Sequence, residues 1–347
     1  MGFRLRSLIL FIVVLLTLTL SLNCVYAGTI TVGSEPYGVA FDSHLNEVFV
    51  ANFGSDTVSV IFDGTNTITA TITVGRYPYG VAFDSHLDEV FVTNSGSDTV
   101  SVIPDSGPMA NIVVATIPVG SAPEGVAFDS HLDEVFVANA NSDTFSVIPD
   151  SGPLANTVTA TSAVGYGPEG VAFDPHLNEV FVSNFDSGFI NTVSVIPDSG
   201  SMANLVTATI TVGSYPTGVA FDSHLNEVFV ANADSDLISV ISDATNNVTA
   251  TIPVSGESTG VTFDSNLNEV FVTGLNRVYV ISDASNNVTA TIKLPTNPIE
   301  VAFDSHMNEI FVTNWATPGT VSVIPDSGPT ANMAAATIPT GAYPGCV

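Results

Sequence analysis

The chain has 347 residues, 45% of them apolar, with 34 acidic side chains against five basic ones and a formal charge of −29. This balance excludes nucleic acid as a partner, since a protein that reads a phosphate backbone needs clustered Lys and Arg, and it suits solubility and mutual repulsion at an extracellular surface. The apolar content, with Gly and Pro spread evenly along the chain, excludes a disordered protein and points to a folded globular one.

Arg4 and Arg6 precede an apolar run over residues 8–20, and Val25-Tyr26-Ala27 places small residues at the two positions that a signal peptidase reads. Residues 1–27 are therefore expected to be a secretory signal peptide, cleaved before Gly28. The competing reading is an uncleaved N-terminal anchor, because the run approaches the shortest length that spans a bilayer. Both readings put the rest of the chain outside the membrane, extracellular or at the cell surface. Cleavage removes Cys24 and leaves Cys346 alone, so no intramolecular disulfide is expected and the fold has to be held by its core. Asn23 stands where a lipoprotein signal needs a small residue, which argues against lipid anchoring at Cys24. Only Arg76, Arg277 and Lys293 then carry positive charge.

The remainder, 28–347, is repetitive. Phe-Asp-Ser-His or a close variant begins at Phe41, Phe83, Phe128, Phe173, Phe221, Phe263 and Phe303, at spacings of 42, 45, 45, 48, 42 and 40 residues. Such a period belongs to the blades of a propeller. Each unit divides into four short strand-like pieces separated by turn-forming residues. In the first unit these are Gly38-Val39-Ala40-Phe41 (A), Glu47-Val48-Phe49-Val50 (B), Thr57-Val58-Ser59-Val60-Ile61 (C) and 69–74 (D). Strands A and B are almost continuously apolar, as expected when neighbouring blades cover both faces. Strands C and D alternate with Ser and Thr, as expected near a solvated rim. The fold class is all-β: one seven-bladed β-propeller of four-stranded antiparallel blades.

Thr29-Ile30-Thr31-Val32-Gly33 matches strand D and not the start of a unit. It is expected to pair beside strand C of the blade containing Phe303 and so close the ring, removing the open sheet edges. Residues 336–341 are also D-like and compete for that place, and 342–345 read as the opening of another unit that stops short.

The B-strand endings Phe-Val-Ala-Asn (Phe49 to Asn52) and Phe-Val-Thr-Asn (Phe91 to Asn94, Phe311 to Asn314), the Ser-Asp-Thr-Val-Ser-Val-Ile that follows, and the Ala-Thr-Ile-Pro-Val-Gly of strand D resemble the signature of the YVTN β-propeller repeat family. The resemblance covers 28–341 and recurs seven times. It implies the propeller fold, and a role in cell-surface binding or scaffolding, as in surface-layer proteins, more often than a reaction. The chain departs from the pattern by using Phe for the first Tyr, which is conservative packing. Gly274 replaces the Asn in the sixth unit, which leaves open whether every Asn has a role.

All six histidines, His44, His86, His131, His176, His224 and His306, lie in the A–B hairpins, with Asn266 in the seventh place. A ring holds equivalent side chains far apart, so these histidines are not expected to form a metal or catalytic site. Instead the hairpin Asp closes the turn through backbone amides and His covers its tip. Without a histidine elsewhere, Ser-His-Asp and Cys-His catalysis lack a base.

Seven of the twelve glutamates are the repeated B-strand residue; the others, Glu35, Glu124, Glu169, Glu257 and Glu300, lie in D–A connections, and Glu300 replaces the glycine of strand A. The residue before that glycine varies as Tyr37, Tyr79, Glu124, Glu169, Thr217, Thr259 and Ile299. Variation within copied units is where asymmetric function would reside, although drift in exposed loops leaves the same trace. The candidate ligand residues are therefore Glu124, Glu169 and Glu300, with Tyr37, Tyr79, Phe53, Phe185 and Trp315 adding apolar contact on the face that carries the D–A and B–C loops. Carboxylates without a basic neighbour favour a cation or a cationic or polyhydroxy ligand. Glu124, Glu169 and Glu300 are the metal candidates; no cofactor is expected, and Ca2+ is the one ion considered.

The leading expectation is a non-catalytic exported module binding a cell-surface protein or glycan. The alternative is a divalent-cation-assisted lyase or lactonase with its site at the channel mouth. Asn247-Val-Thr and Asn287-Val-Thr are candidate glycosylation sites.

Overall fold

The computed structural model describes residues 29–185 and 191–326. Seven four-stranded antiparallel sheets follow one another around a ring, each built from consecutive strands A to D. In the first blade these are Pro36–Asp42, Glu47–Asn52, Thr57–Phe62 and Thr67–Thr73. Strand A begins two residues earlier than its apolar run, because a bulge between Pro36 and Val39 carries the pairing past Tyr37 and Gly38.

The ring is closed by the N-terminal strand Thr29–Thr31, which pairs antiparallel with strand C of the seventh blade, Thr320–Pro325, with Ile30 opposite Val321. Ile30 and Val32 enter the same buried cluster as Phe311 and Val321 of that blade and Val48, Val50 and Ile61 of the first. The rival D-like segment at 336–341, the expected signal at 1–27 and Cys346 lie outside the described residues.

The core sits between blades. One cluster joins Phe49, Val58 and Val60 of the first blade to Val90, Val92 and Ile103 of the second, and equivalent clusters fill the other seams. The seven B-strand phenylalanines, Phe49 to Phe311, are fully buried. Each contributes about 2–3 kcal/mol by burial, and none needs the hydroxyl partner that Tyr would require there.

Strand C corrects the expectation of a solvated rim. Val58, Ser59, Val60 and Ile61 are as buried as strand B, and only strand D alternates with solvent. The Ser of strand C is polar because it pairs inside the blade: Asn52 Nδ2 donates to Ser59 Oγ at 3.0 Å. The same bond joins Asn94 to Ser101, Asn139 to Ser146, Asn184 to Ser194, Asn232 to Ser239 and Asn314 to Ser322. Strand A, expected to be covered on both faces, is only half-buried in the first blade from Val39 to Phe41 because it borders the central channel.

Candidate functional site

Strand A glycines draw the ring tight. A Cβ on Gly260 would lie 2.7 Å from the Ile299 carbonyl oxygen of the next blade, and one on Gly125 would collide with the Glu169 carbonyl. Only a residue without a side chain lets the inner strands approach this closely. The residue before each glycine therefore stands at the mouth of the bore. B–C and D–A loops share that face, as the bond from Phe53 N to the Glu35 carbonyl shows (3.0 Å).

The mouth opens into a cavity of about 120 Å³ lined by Tyr37, Tyr79, Glu169, Thr217 and Glu300 among the strand A backbones. Tyr79 donates its hydroxyl to Glu169 Oε1 at 2.9 Å, reaching from the second blade to the fourth. Its ring packs on Tyr37 with centroids 3.9 Å apart. Tyr37 in turn meets Trp315 edge-on at 5.8 Å and Phe53 at 6.3 Å. Blades seven, one and two thus supply an aromatic wall, while Glu169 and Glu300 bring carboxyls to the same opening.

Burial in the bore pushes the Glu300 carboxyl up to about 8, against the bond from the Val301 amide and with help from the charge of Glu169. Burial also raises Glu124 and Glu169. The charge of Glu169 adds to the rise at Glu124, and the Tyr79 hydroxyl opposes it at Glu169. Tyr37 and Tyr79 are raised by burial and by these glutamates, so both hydroxyls stay protonated. Near neutral pH the site offers carboxylic acid and phenol groups that both donate and accept.

Of the expected residues, Tyr37, Tyr79, Phe53 and Trp315 come together beside Glu169 and Glu300. Glu124 is near enough to feel the charge of Glu169 and to act by its own charge on Tyr37 and Tyr79. Phe185 does not join them; it packs edge-on against Tyr215, centroids 4.1 Å apart, in another part of the rim. Tyr77 was not anticipated. It stacks on Phe53 at 4.9 Å and extends the wall outward. Its signal in the sequence is an aromatic in a D–A connection, two residues before Tyr79. Glu257 is exposed, and Asn247 and Asn287 are exposed at the start of strand D in blades five and six.

The three glutamates do not form a compact metal-ligand set. Among the described residues, the groups of three ligand atoms within 4.8 Å of one another are Asp63-Asp304-His306, Asp129-His131-Asp198 and Asp174-His176-Asp243, all on the opposite, hairpin face. There each hairpin Asp accepts backbone bonds as expected, Asp42 Oδ1 from His44 N at 2.7 Å and Leu45 N at 3.2 Å. The six histidines keep apart from one another, but each reaches a carboxylate of the next blade, such as His131 Nδ1 to Asp198 Oδ2 at 2.8 Å. Equivalent positions in a ring keep the histidines apart, yet the neighbouring blade brings an aspartate of different repeat position to each of them.

Fold and bore together define the chain as a seven-bladed β-propeller. No family model matches it, and no curated protein is similar to it in sequence. Among solved structures it is similar to a chain of Kuenenia stuttgartiensis hydrazine synthase, with a TM-score of 0.74 and 17% identity over 85% of this chain and 97% of that one. At that identity the likeness shows the fold.

Proposed function

We propose that this protein is an exported, non-catalytic propeller of the YVTN repeat type that acts at the cell surface as an interaction module, binding a polyhydroxy ligand such as the end of a glycan at the mouth of its channel. The observation that carries this reading is the double role of Tyr79: its ring belongs to the aromatic wall with Tyr37, and its hydroxyl holds Glu169. Aromatic faces cover the apolar face of a sugar, and groups that both donate and accept suit its hydroxyls. The apolar run and cleavage pattern of residues 1–27 support export. A cation-assisted lyase or lactonase needs a compact ligand set at this mouth, and the glutamates there are spread around the bore.

Trp315 is the one tryptophan of the chain and lies in the wall, so its emission reports the site directly. Titration with neutral mono- and oligosaccharides is expected to shift or quench that emission for a subset of them, and Glu169→Gln to weaken the response. A response to Ca2+ alone would favour a cation site. Turnover of lactone substrates that chelators abolish would favour the enzyme.

A further inference from the structure

We propose that three seams between blades, on the hairpin face opposite the channel mouth, are binding sites for a divalent transition-metal ion of the Zn2+ or Mn2+ class. Their ligands are Asp129, His131 and Asp198; Asp174, His176 and Asp243; and Asp304, His306 and Asp63. In each set the ligand atoms lie within 4.8 Å of one another. The first Asp and the His come from one A–B hairpin, and the second Asp directly follows strand C of the next blade.

Five of the six aspartates are buried and incompletely partnered. Asp129 and Asp304 use Oδ1 for the hairpin amides and leave Oδ2 without a partner, as does Asp174. Asp198 and Asp63 give one oxygen to the imidazole, and their Oδ1 atoms have none. These five aspartates are 0–2% exposed. Glu134, Glu179 and Glu309, one beside each set, also carry a buried, unpartnered Oε2. Among the described residues no lysine or arginine answers this charge: Arg76 lies over Tyr77, Arg277 over Tyr279, and Lys293 ends strand D of the sixth blade. Two or three carboxyls gathered out of water around one imidazole are stabilised by a shared proton or by a cation, and a divalent ion that also takes the unpartnered oxygens satisfies both needs. One nitrogen and several carboxylate oxygens match the donors of Zn2+ and Mn2+ better than the all-oxygen shell of Ca2+. The imidazoles, 43–50% exposed, give the ion a path from solvent.

The other seams provide an internal contrast. His44 and His86 turn to Asp88 and Asp133 of the neighbouring hairpin, and Asn266 turns to Asn308, so no imidazole bonds Asp105, Asp150 or Asp326. The fifth seam keeps its histidine on Asp283, but Asp283 Oδ1 is taken by the Ala284 amide. Binding at the three complete sets replaces the His–Asp hydrogen bond by two metal bonds; the proton of a neutral imidazole moves from Nδ1 to Nε2, and the extra proton of an imidazolium, or one the carboxyls share, goes to solvent.

The test strips the purified protein with a chelator, adds ZnCl2 or MnCl2 alone, and counts retained ions by elemental analysis after gel filtration, with calorimetry alongside. About three ions per chain are expected, from the three complete sets. Asp198→Asn, Asp243→Asn and Asp63→Asn should each remove about one, and the triple variant His131→Asn/His176→Asn/His306→Asn should remove all three. Asn already occupies this position at 266, so the hairpin accepts it, and circular dichroism confirms that each variant is folded. Co2+ in place of Zn2+ should show visible bands that the triple variant loses. Glu300→Gln, at the channel, should leave the count unchanged, so failure here is separable from failure of the channel reading. No retained ion, or a count that the triple variant leaves unchanged, would overturn the proposal.

Discussion

Tyr279 fills the space that an asparagine side chain takes in the other blades: its Cε2 lies 3.0 Å from where a Cβ on Gly274 would stand. The sixth blade has changed both members of the Asn–Ser pair together, Asn to Gly274 and Ser to Tyr279. The new tyrosine donates its hydroxyl to the Ser255 carbonyl at 2.7 Å. Loss of the motif at Gly274 is thus a compensated exchange, and the Asn has a structural role wherever it occurs among the described blades.

Gly274→Asn alone should therefore overpack this pocket and cost about 1–3 kcal/mol. Tyr279→Ser alone leaves a cavity and costs about 3 kcal/mol. The double variant recreates the pair of the other blades and should recover most of both losses in denaturant unfolding. Strictly additive costs would show that the two positions are independent.

Closure depends on three residues of strand. Ile30→Ala should cost about 2–4 kcal/mol, since Ile30 is buried in the seam between blades seven and one. Removing residues up to 31 leaves strand C of the seventh blade as an open edge, so a lower melting temperature and concentration-dependent light scattering are expected. If 336–341 took the place instead, the truncated protein would melt at the temperature of the parent.

The channel carboxyls set a pH dependence of unusual sign. Glu300, at about 8 in the folded chain, binds its proton more tightly than the unfolded chain does. Its stabilising contribution is complete below the ordinary carboxyl range near 4.5 and is lost as pH rises through about 8. Glu124 and Glu169, also raised, act in the same direction. Melting temperatures taken with a chelator present should fall between pH 5 and 8, and Glu300→Gln should flatten that fall. An unchanged slope in the variant would remove Glu300 as its source.

Ligand affinity should separate the two aromatic groups of the rim. Tyr79→Phe frees Glu169 from its hydroxyl partner and should weaken saccharide binding about tenfold, the worth of one good hydrogen bond. Phe185→Ala lies with Tyr215 outside the wall and should leave the Trp315 titration unchanged. Equal losses in both variants would place the ligand elsewhere.

The sequence by itself determined the blade count and the strand order, and narrowed the closing strand to two D-like segments, 29–33 and 336–341. Seven copies of one motif bury their apolar strands against one another around a ring, and the structure pairs Thr29–Thr31 with the open edge of the seventh blade. The sequence also pointed to the face of the proposed ligand site, because Glu and Tyr at a single repeated position in strand A converge where inner strands start. Only the tertiary structure decided which of those residues meet. Tyr79 reaches Glu169 across the second and fourth blades, Phe185 falls away to Tyr215, and Tyr77 joins the wall, all consequences of side-chain direction around a bore that spacing does not encode. The Ser of strand C had the same limit: alternation suggested solvent, and the partner, Asn52, lies on the adjacent strand. The hairpin histidines show the physical reason most plainly, since their carboxylate neighbours come from the next blade, 67 residues away for His131 and 243 for His306; packing one blade on the next brings the first pair within bonding distance, and closing the ring brings the second.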